Sequence, residues 1–205
     1  MEIILCLLLG YLLGCLNPAA MLGKRKQVDL TQTGTRNLGA SNALLVLGKT
    51  SGLLVMVVDI AKAWLASKVA KAIFPMLTVA GLLAGLGAIL GHIFPFQLGF
   101  HGGKGLAALA GMVLAFDPWI FLKLLVISFA AMVIVNYSYG MPISAGFLFP
   151  VVTWFRYEDV GVLLITAVAG LLIVVKHWSN IDRARQGNEQ KFRDYVRENF
   201  LPNGR

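Results

Sequence analysis

Apolar runs close to twenty residues long, repeated down most of the chain, limit what this sequence can fold into more than any other feature. A helix rises 1.5 Å per residue and the hydrocarbon layer is roughly 30 Å thick, so about 20 apolar residues cross it once. Seven stretches approach or reach that length, near 3–22, 51–73, 74–94, 103–117, 118–138, 142–157 and 160–177. The fourth and sixth, at about 15 residues, fall short of a full crossing, which gives five to seven crossings in all. With 58% hydrophobic and 14% charged residues, the chain is too apolar for one water-facing core of 205 residues. The fold expected is an all-α integral membrane protein of about seven transmembrane helices, some short or partial, with cytoplasmic glycine-rich loops. Its first stretch, "MEIILCLLLGYLLGCLNPAAML", lacks the basic leader of a cleaved signal and is expected to stay as a helix. Cys6 and Cys15 lie inside it, where desolvation disfavours a reactive thiolate, so both are expected to pack.

The charged residues give this array a direction. If all seven stretches cross, segments 23–50, 95–104, 137–143 and everything from 178 onward share one side. They hold twelve of the eighteen Lys and Arg in a chain of formal charge +8, which places them in the cytoplasm. The opposite loops are little more than turns, around "FP" at 74, "FDP" at 116 and "RYED" at 156. The expected organisation is a polytopic membrane domain over 1–179 that carries the chemistry, followed by a cytoplasmic tail over 180–205. Glycines inside the apolar stretches, in "GYLLG" at 10–14, "GLLAG" at 81–85 and "GAILG" at 87–91, have the small-xxx-small spacing of close helix packing in lipid.

Two cytoplasmic segments break the apolar pattern with glycine and cations. In "DLTQTGTRNLGASNALL" (29–45), Gly34 and Gly39 bracket Thr35, Arg36 and Asn37, and Ala40, Ser41 and Asn42 lead into a helix. Glycines let successive N–H groups turn inward, a helix start adds unpaired donors, and Arg36 adds a planar fork suited to phosphate oxygens. In "FHGGKGLA", Gly102, Gly103 and Gly105 surround Lys104 just before another helix. This is not a nucleotide-binding GxxxxGK[ST] loop, since that pattern needs glycine at Leu98 and a hydroxyl at Gly105. Two such loops on one side suit a ligand, or a pair of ligands, carrying more than one phosphate. Taken singly, either loop also fits a tight re-entrant turn. His92 closes the third stretch, while His177 and Asn180 close the last; ionisable groups at that depth are functional candidates. Asp59 and Lys62, one turn apart in the second stretch, are expected to pair structurally, and His101 beside the glycines is equally compatible with solvation.

At these segments the chain resembles the bacterial acyl-phosphate:glycerol-3-phosphate acyltransferases, the PlsY family. The resemblance runs through "GCLNPAA" at the end of the first stretch, "GTRNLGASN", "GHIFP", "HGGKG" and the tail "NIDRARQGNEQKF", in the family's order. It implies seven membrane helices, no metal and no cofactor. It also implies transfer of a fatty acyl group from acyl phosphate to the sn-1 hydroxyl of glycerol 3-phosphate in the bacterial inner membrane. Thr35, Lys104, His177 and Asn180 would be catalytic. Gly34, Arg36, Asn37, Gly39, Ser41, Asn42, His92, Gly102, Gly103, Gly105 and Glu189 would bind substrate or phosphate. Either His177 or the acceptor's own phosphate would take the hydroxyl proton. Where the family usually has Ser-Gly this chain has Thr35-Arg36, and Ser41 replaces its threonine, so both hydroxyls are kept while Arg36 adds a charge that bears on acceptor identity. A paralogue using another phosphorylated acceptor is one alternative. A transporter of phosphorylated anions is another, disfavoured because the opposite loops are too short to form a second gate. Nucleic acid is not an expected partner, since the positive charge is split among membrane-flanking segments.

Overall fold

The computed structural model describes residues 1–200, with side chains through residue 198, so the last five residues of the expected tail lie outside the described residues. Among the described residues every regular element is a helix: α1 (Glu2–Gly14), α2 (Pro18–Arg25), α3 (Ala40–Leu47), α4 (Lys49–Ile73), α5 (Ala80–Ile93), α6 (Leu106–Phe116), α7 (Pro118–Val135), α8 (Gly140–Tyr157), α9 (Val160–Arg185) and α10 (Phe192–Phe200). A short 3-10 turn, Phe96–Leu98, follows α5.

The breaks have local causes. The first apolar stretch is two helices, because Asn17 is extended at φ −117° and its side chain accepts the Ala20 amide at 2.8 Å, capping α2 with Pro18 at its first position. Proline lacks the N–H that a continuing helix needs and suits the first turn of a new one. Gly48, at φ +93°, separates α3 from α4. Helix α4 stops at Ile73, ahead of Pro75, whose ring disfavours helical backbone before it.

Among the described residues four stretches are long and apolar enough to cross a membrane: Glu2–Arg25, Ala80–Leu98, Pro118–Val135 and Val160–Arg185; Leu106–Phe116 is apolar but shorter. The second expected span, α4, has the length but carries Lys49, Asp59, Lys62, Lys68 and Lys71. Two of these are turned inward, since Asp59 and Lys62 are buried and pair at 2.8 Å, as expected; Lys49, Lys68 and Lys71 are exposed, with the Lys68 ammonium donating to the Ala115 carbonyl at 2.9 Å.

The chain forms two compact units, Met1–Pro118 and the residues from Trp119 onward. The first is arranged around α5, twelve of whose fourteen residues are buried against α1, α4 and α6. Glycine permits the α1–α5 approach: a methyl group at Gly10 would lie 1.9 Å from the Ala84 carbonyl oxygen, and one at Gly91 2.1 Å from that of Tyr11. In the second unit α8 and α9 touch at Gly146 and Gly170, and the buried hydroxyls of Thr153 and Thr166 lie 3.1 Å apart. Helix α7 shows which solvent surrounds it. Ile120, Leu124, Ser128 and Met132 are buried at every fourth position, yet Leu122, Leu125, Val126, Ile127, Phe129 and Ile134 are exposed. A helix apolar on its exposed face as well as its buried one has lipid as its solvent. The last long helix, α9, passes residue 179 without a break and ends at Arg185.

Candidate active site

The first loop is fixed from beneath by asparagine. Asn42, fully buried in the first turn of α3, donates through Nδ2 to the carbonyls of Leu30 and Thr33 at 3.0 and 3.1 Å and accepts the Thr35 amide on Oδ1 at 2.8 Å. Gly34 and Arg36 turn the chain with φ of +62° and +58°, and a methyl group at Gly34 would strike Asn42 Oδ1. Glycine adopts this left-handed backbone without penalty and arginine does not. At the base of the loop, Asp29 accepts the hydroxyl and amide of Thr31 at 2.6 and 2.8 Å, and these bonds hold its carboxyl below the usual carboxylate range. From the other side, Asn17 Nδ2 donates to the Leu38 carbonyl at 3.2 Å. Thr35, Arg36 and Ser41 are left exposed, Asn37 half-buried, and Gly39 caps α3.

The second loop doubles back on the helix it succeeds. The amides of Gly102 and Gly103 donate to the carbonyls of Ile93 and His92 at 3.1 and 3.0 Å, Phe100 and Gly99 take left-handed backbone, and Gly105, at φ +89°, caps α6. His92 is buried under this turn, with Nδ1 3.1 Å from Lys62 Nζ and 3.2 Å from Asp59 Oδ1. The two loops share one apolar cluster, since Leu98 packs against the group containing Leu30 and Leu38. Lys24, Asp29, Thr31, Leu38, Leu98 and His101 line a single cleft beside it.

The second unit holds the remaining candidates. His177 and Asn180 sit three residues apart on α9, both largely buried. His177 Nδ1 lies 2.8 Å from the Ile173 carbonyl, which only accepts, so Nδ1 carries the proton and Nε2 of the neutral ring carries the lone pair. The carboxylate of Glu189 takes Asn180 Nδ2 on one oxygen and Arg183 Nε on the other, each at 2.7 Å, closing the turn after α9. Asn136 anchors the start of α10, accepting the Phe192 amide on its carbonyl at 2.9 Å and the Arg193 amide on Oδ1 at 3.0 Å.

Several expected ligand contacts are therefore placed as braces. Asn42 and Glu189 have their side-chain polar groups engaged by the protein, His92 is tied to Asp59 and Lys62, and the Gly102 and Gly103 amides bond backbone carbonyls. Each of these groups has a partner within the protein. In the second loop Lys104 and the Gly105 cap lead directly into α6. Sequence reasoning does not single out Asn17 or Asn136 as site-shaping residues; an Asn-Pro pair at a helix break is the visible signal for the first, and Asn136 has none.

Apolar outer faces, broken helices and cation-bearing loops turned by glycine describe an integral membrane protein, and its relatives make it an acyltransferase. A family model described as glycerol-3-phosphate acyltransferase matches residues 4–187. Glycerol-3-phosphate acyltransferases of Macrococcus caseolyticus and Lactiplantibacillus plantarum are 36% and 38% identical, over 93% and 92% of this chain and 97% and 91% of theirs. Crystal structures of PlsY, an integral membrane glycerol 3-phosphate acyltransferase, superpose with TM-scores of 0.83 for its glycerol 3-phosphate form and 0.80 for its lysophosphatidic acid form. They are 31% and 30% identical, covering 94% and 93% of this chain and 96% and 95% of the solved ones. The chain belongs to the glycerol-3-phosphate acyltransferase family.

Proposed function

We propose that this acyltransferase moves a fatty acyl group from acyl phosphate to the sn-1 hydroxyl of glycerol 3-phosphate, giving lysophosphatidic acid and inorganic phosphate for phospholipid synthesis. One observation carries the reading: the superposing relative is solved in a glycerol 3-phosphate form and a lysophosphatidic acid form, and the two molecules differ by a single acyl group. A donor of activated acyl is then required. Acyl phosphate, a mixed anhydride, supplies it with phosphate as the leaving group, so positioning and charge suffice and no covalent acyl-enzyme is needed. Cys6 and Cys15, both buried, play no part.

In the proposed step the acceptor oxygen bonds the acyl carbon, the carbon–oxygen bond to phosphate breaks, and the electron pair leaves on phosphate. Lys104, with the Gly105 amide, holds the departing phosphate. Thr35 and Arg36, at the exposed turn that Asn42 supports, hold the acceptor's phosphate or the developing oxyanion, with Gly34, Asn37, Gly39 and Ser41 shaping that turn. Asn180 orients the hydroxyl. Its proton passes to His177 Nε2 or to the acceptor's own phosphate; the Nδ1 contact to Ile173 favours the first. The loops face the cytoplasm at the inner membrane of a bacterium, as the distribution of Lys and Arg supports.

A second reading, acylation of another polyol phosphate, is favoured by Arg36, an exposed cation in left-handed backbone where the family pattern has glycine. The test incubates purified protein in detergent with palmitoyl phosphate and labelled glycerol 3-phosphate, measuring phosphate and labelled lysophosphatidic acid together. Equal release of both is expected. Phosphate release only with a different polyol phosphate would establish the second reading, and none with any acceptor would overturn both.

A further inference from the structure

Directly beneath the second loop lies a cluster of three ionisable side chains that the proposed chemistry does not use. Asp59 and Lys62 are one turn apart on α4, His92 is in the last turn of α5, and the three are 1%, 4% and 3% exposed. An ammonium has three N–H donors and no acceptor. Lys62 Nζ donates to Asp59 Oδ1 at 2.8 Å and to the Leu16 carbonyl at 2.5 Å, and His92 Nδ1 lies 3.1 Å from Lys62 Nζ and 3.2 Å from Asp59 Oδ1. Nδ1 thus faces the Asp59–Lys62 pair, and Nε2 is the nitrogen that faces Gly103. The contact there is close, since a methyl group at Gly103 would lie 2.1 Å from Nε2.

Both ends of this cluster lead to a loop. Leu16 immediately precedes Asn17, whose side chain holds the Leu38 carbonyl of the first loop. His92 receives the Gly103 amide on its own carbonyl, and Lys104 is the next residue. A charged network is an expensive way to join two helices and the break between α1 and α2 in lipid, where an apolar contact would serve. That arrangement fixes ring, carbonyl and Gly103 together.

We infer that Asp59, Lys62 and His92 are positioning residues for the transfer reaction, setting the height and direction of the Gly102–Gly105 turn and hence of Lys104. The inference rests on the assignment of Lys104 to the departing phosphate. A one-ångström displacement of such a group lowers turnover by up to about 10²-fold with little need for a change in fold.

The test compares wild type, Asp59→Asn, Lys104→Met and the double variant in detergent, using palmitoyl phosphate and glycerol 3-phosphate. Asp59→Asn is expected to lower kcat about tenfold or more while leaving the KM for glycerol 3-phosphate within about twofold. Combined with Lys104→Met, it is expected to add almost no further loss, because both changes remove the same placement. Independent losses that multiply, or wild-type kcat in Asp59→Asn, would overturn the inference. Removing one partner of a buried pair can prevent folding, so Gly103→Ala is the second variant. Gly103 is not among the positive-φ glycines, and the three atoms nearest its added methyl all belong to the His92 ring, so the change acts there without altering charge. The same kcat loss and the same non-additivity with Lys104→Met are expected, and an unchanged kcat in Gly103→Ala would overturn the proposal. A wild-type protein inactive with every acceptor would instead overturn the proposed function on which this rests.

Discussion

At single residues, the divide between groups that hold the loops and groups that face a ligand leads to opposite expectations. Asn42→Ala strips partners from the Thr35 amide and from the Leu30 and Thr33 carbonyls. A buried polar group left unsatisfied costs about 1–3 kcal/mol, so this variant is expected to lose stability as well as turnover, read as a lower midpoint of thermal unfolding in detergent. Lys104→Met is expected to show its effect in turnover, which should fall on the order of 10²-fold, the usual loss for a removed transition-state donor. Arg36→Gly separates the two effects at one position. Glycine relieves the left-handed backbone at φ +58° and should stabilise the protein by about 1 kcal/mol, while the lost cation should raise the KM for glycerol 3-phosphate. These residues were legible as a cationic, glycine-framed group in the sequence. Which of them point inward was not, because Asn42 and Ser41 are neighbours in the chain and differ only in the face of α3 they occupy.

At the level of helices, the sequence was most informative where composition changes sharply and least where polarity hides inside. Asn17-Pro18 broke the first stretch, and the glycine pairs of α1 and α5 met as their spacing implied. Replacing Gly10 by leucine, whose first carbon alone would lie 1.9 Å from the Ala84 carbonyl oxygen, is expected to abolish the α1–α5 contact. The expected result is aggregated protein in detergent extraction, whereas Leu8→Ala, on the exposed side of α1, is expected to be neutral. What periodicity missed was the closing of α9 by its own sequel. Glu189 sits nine residues beyond Asn180 and was expected at the ligand, yet its carboxylate ties that turn to the helix. Because the Arg183 side chain is 39% exposed, its ion pair with Glu189 is worth little to global stability. The effect of Glu189→Gln should therefore be local, seen as faster hydrogen exchange over residues 186–191 with an unchanged unfolding midpoint.

Across the whole molecule, sidedness turns first on α4, which with α8 is left out of the four clear spans by hydropathy. Its two buried charges, Asp59 and Lys62, pair within the first unit, so the membrane need not solvate them, and length then permits a crossing. If α4 crosses, Ser41 before it and Met76 after it lie on opposite sides. Single cysteines report this directly, because the native Cys6 and Cys15 are 0% and 3% exposed and should stay silent toward a membrane-impermeant thiol reagent. Ser41, Ser138 and Asn188 are exposed in the segments where Lys and Arg gather or that share their side, whereas Met76 and Glu158 are exposed in the short opposite turns. In spheroplasts, Met76→Cys and Glu158→Cys are expected to label from outside, with Ser41→Cys, Ser138→Cys and Asn188→Cys labelling only once the membrane is opened. Labelling of Ser41→Cys and Met76→Cys from the same side would mean that α4 does not cross. The first loop would then lose the sidedness that its cations require, and phosphorylated substrates from the cytoplasm could not reach Arg36 and Lys104 as proposed.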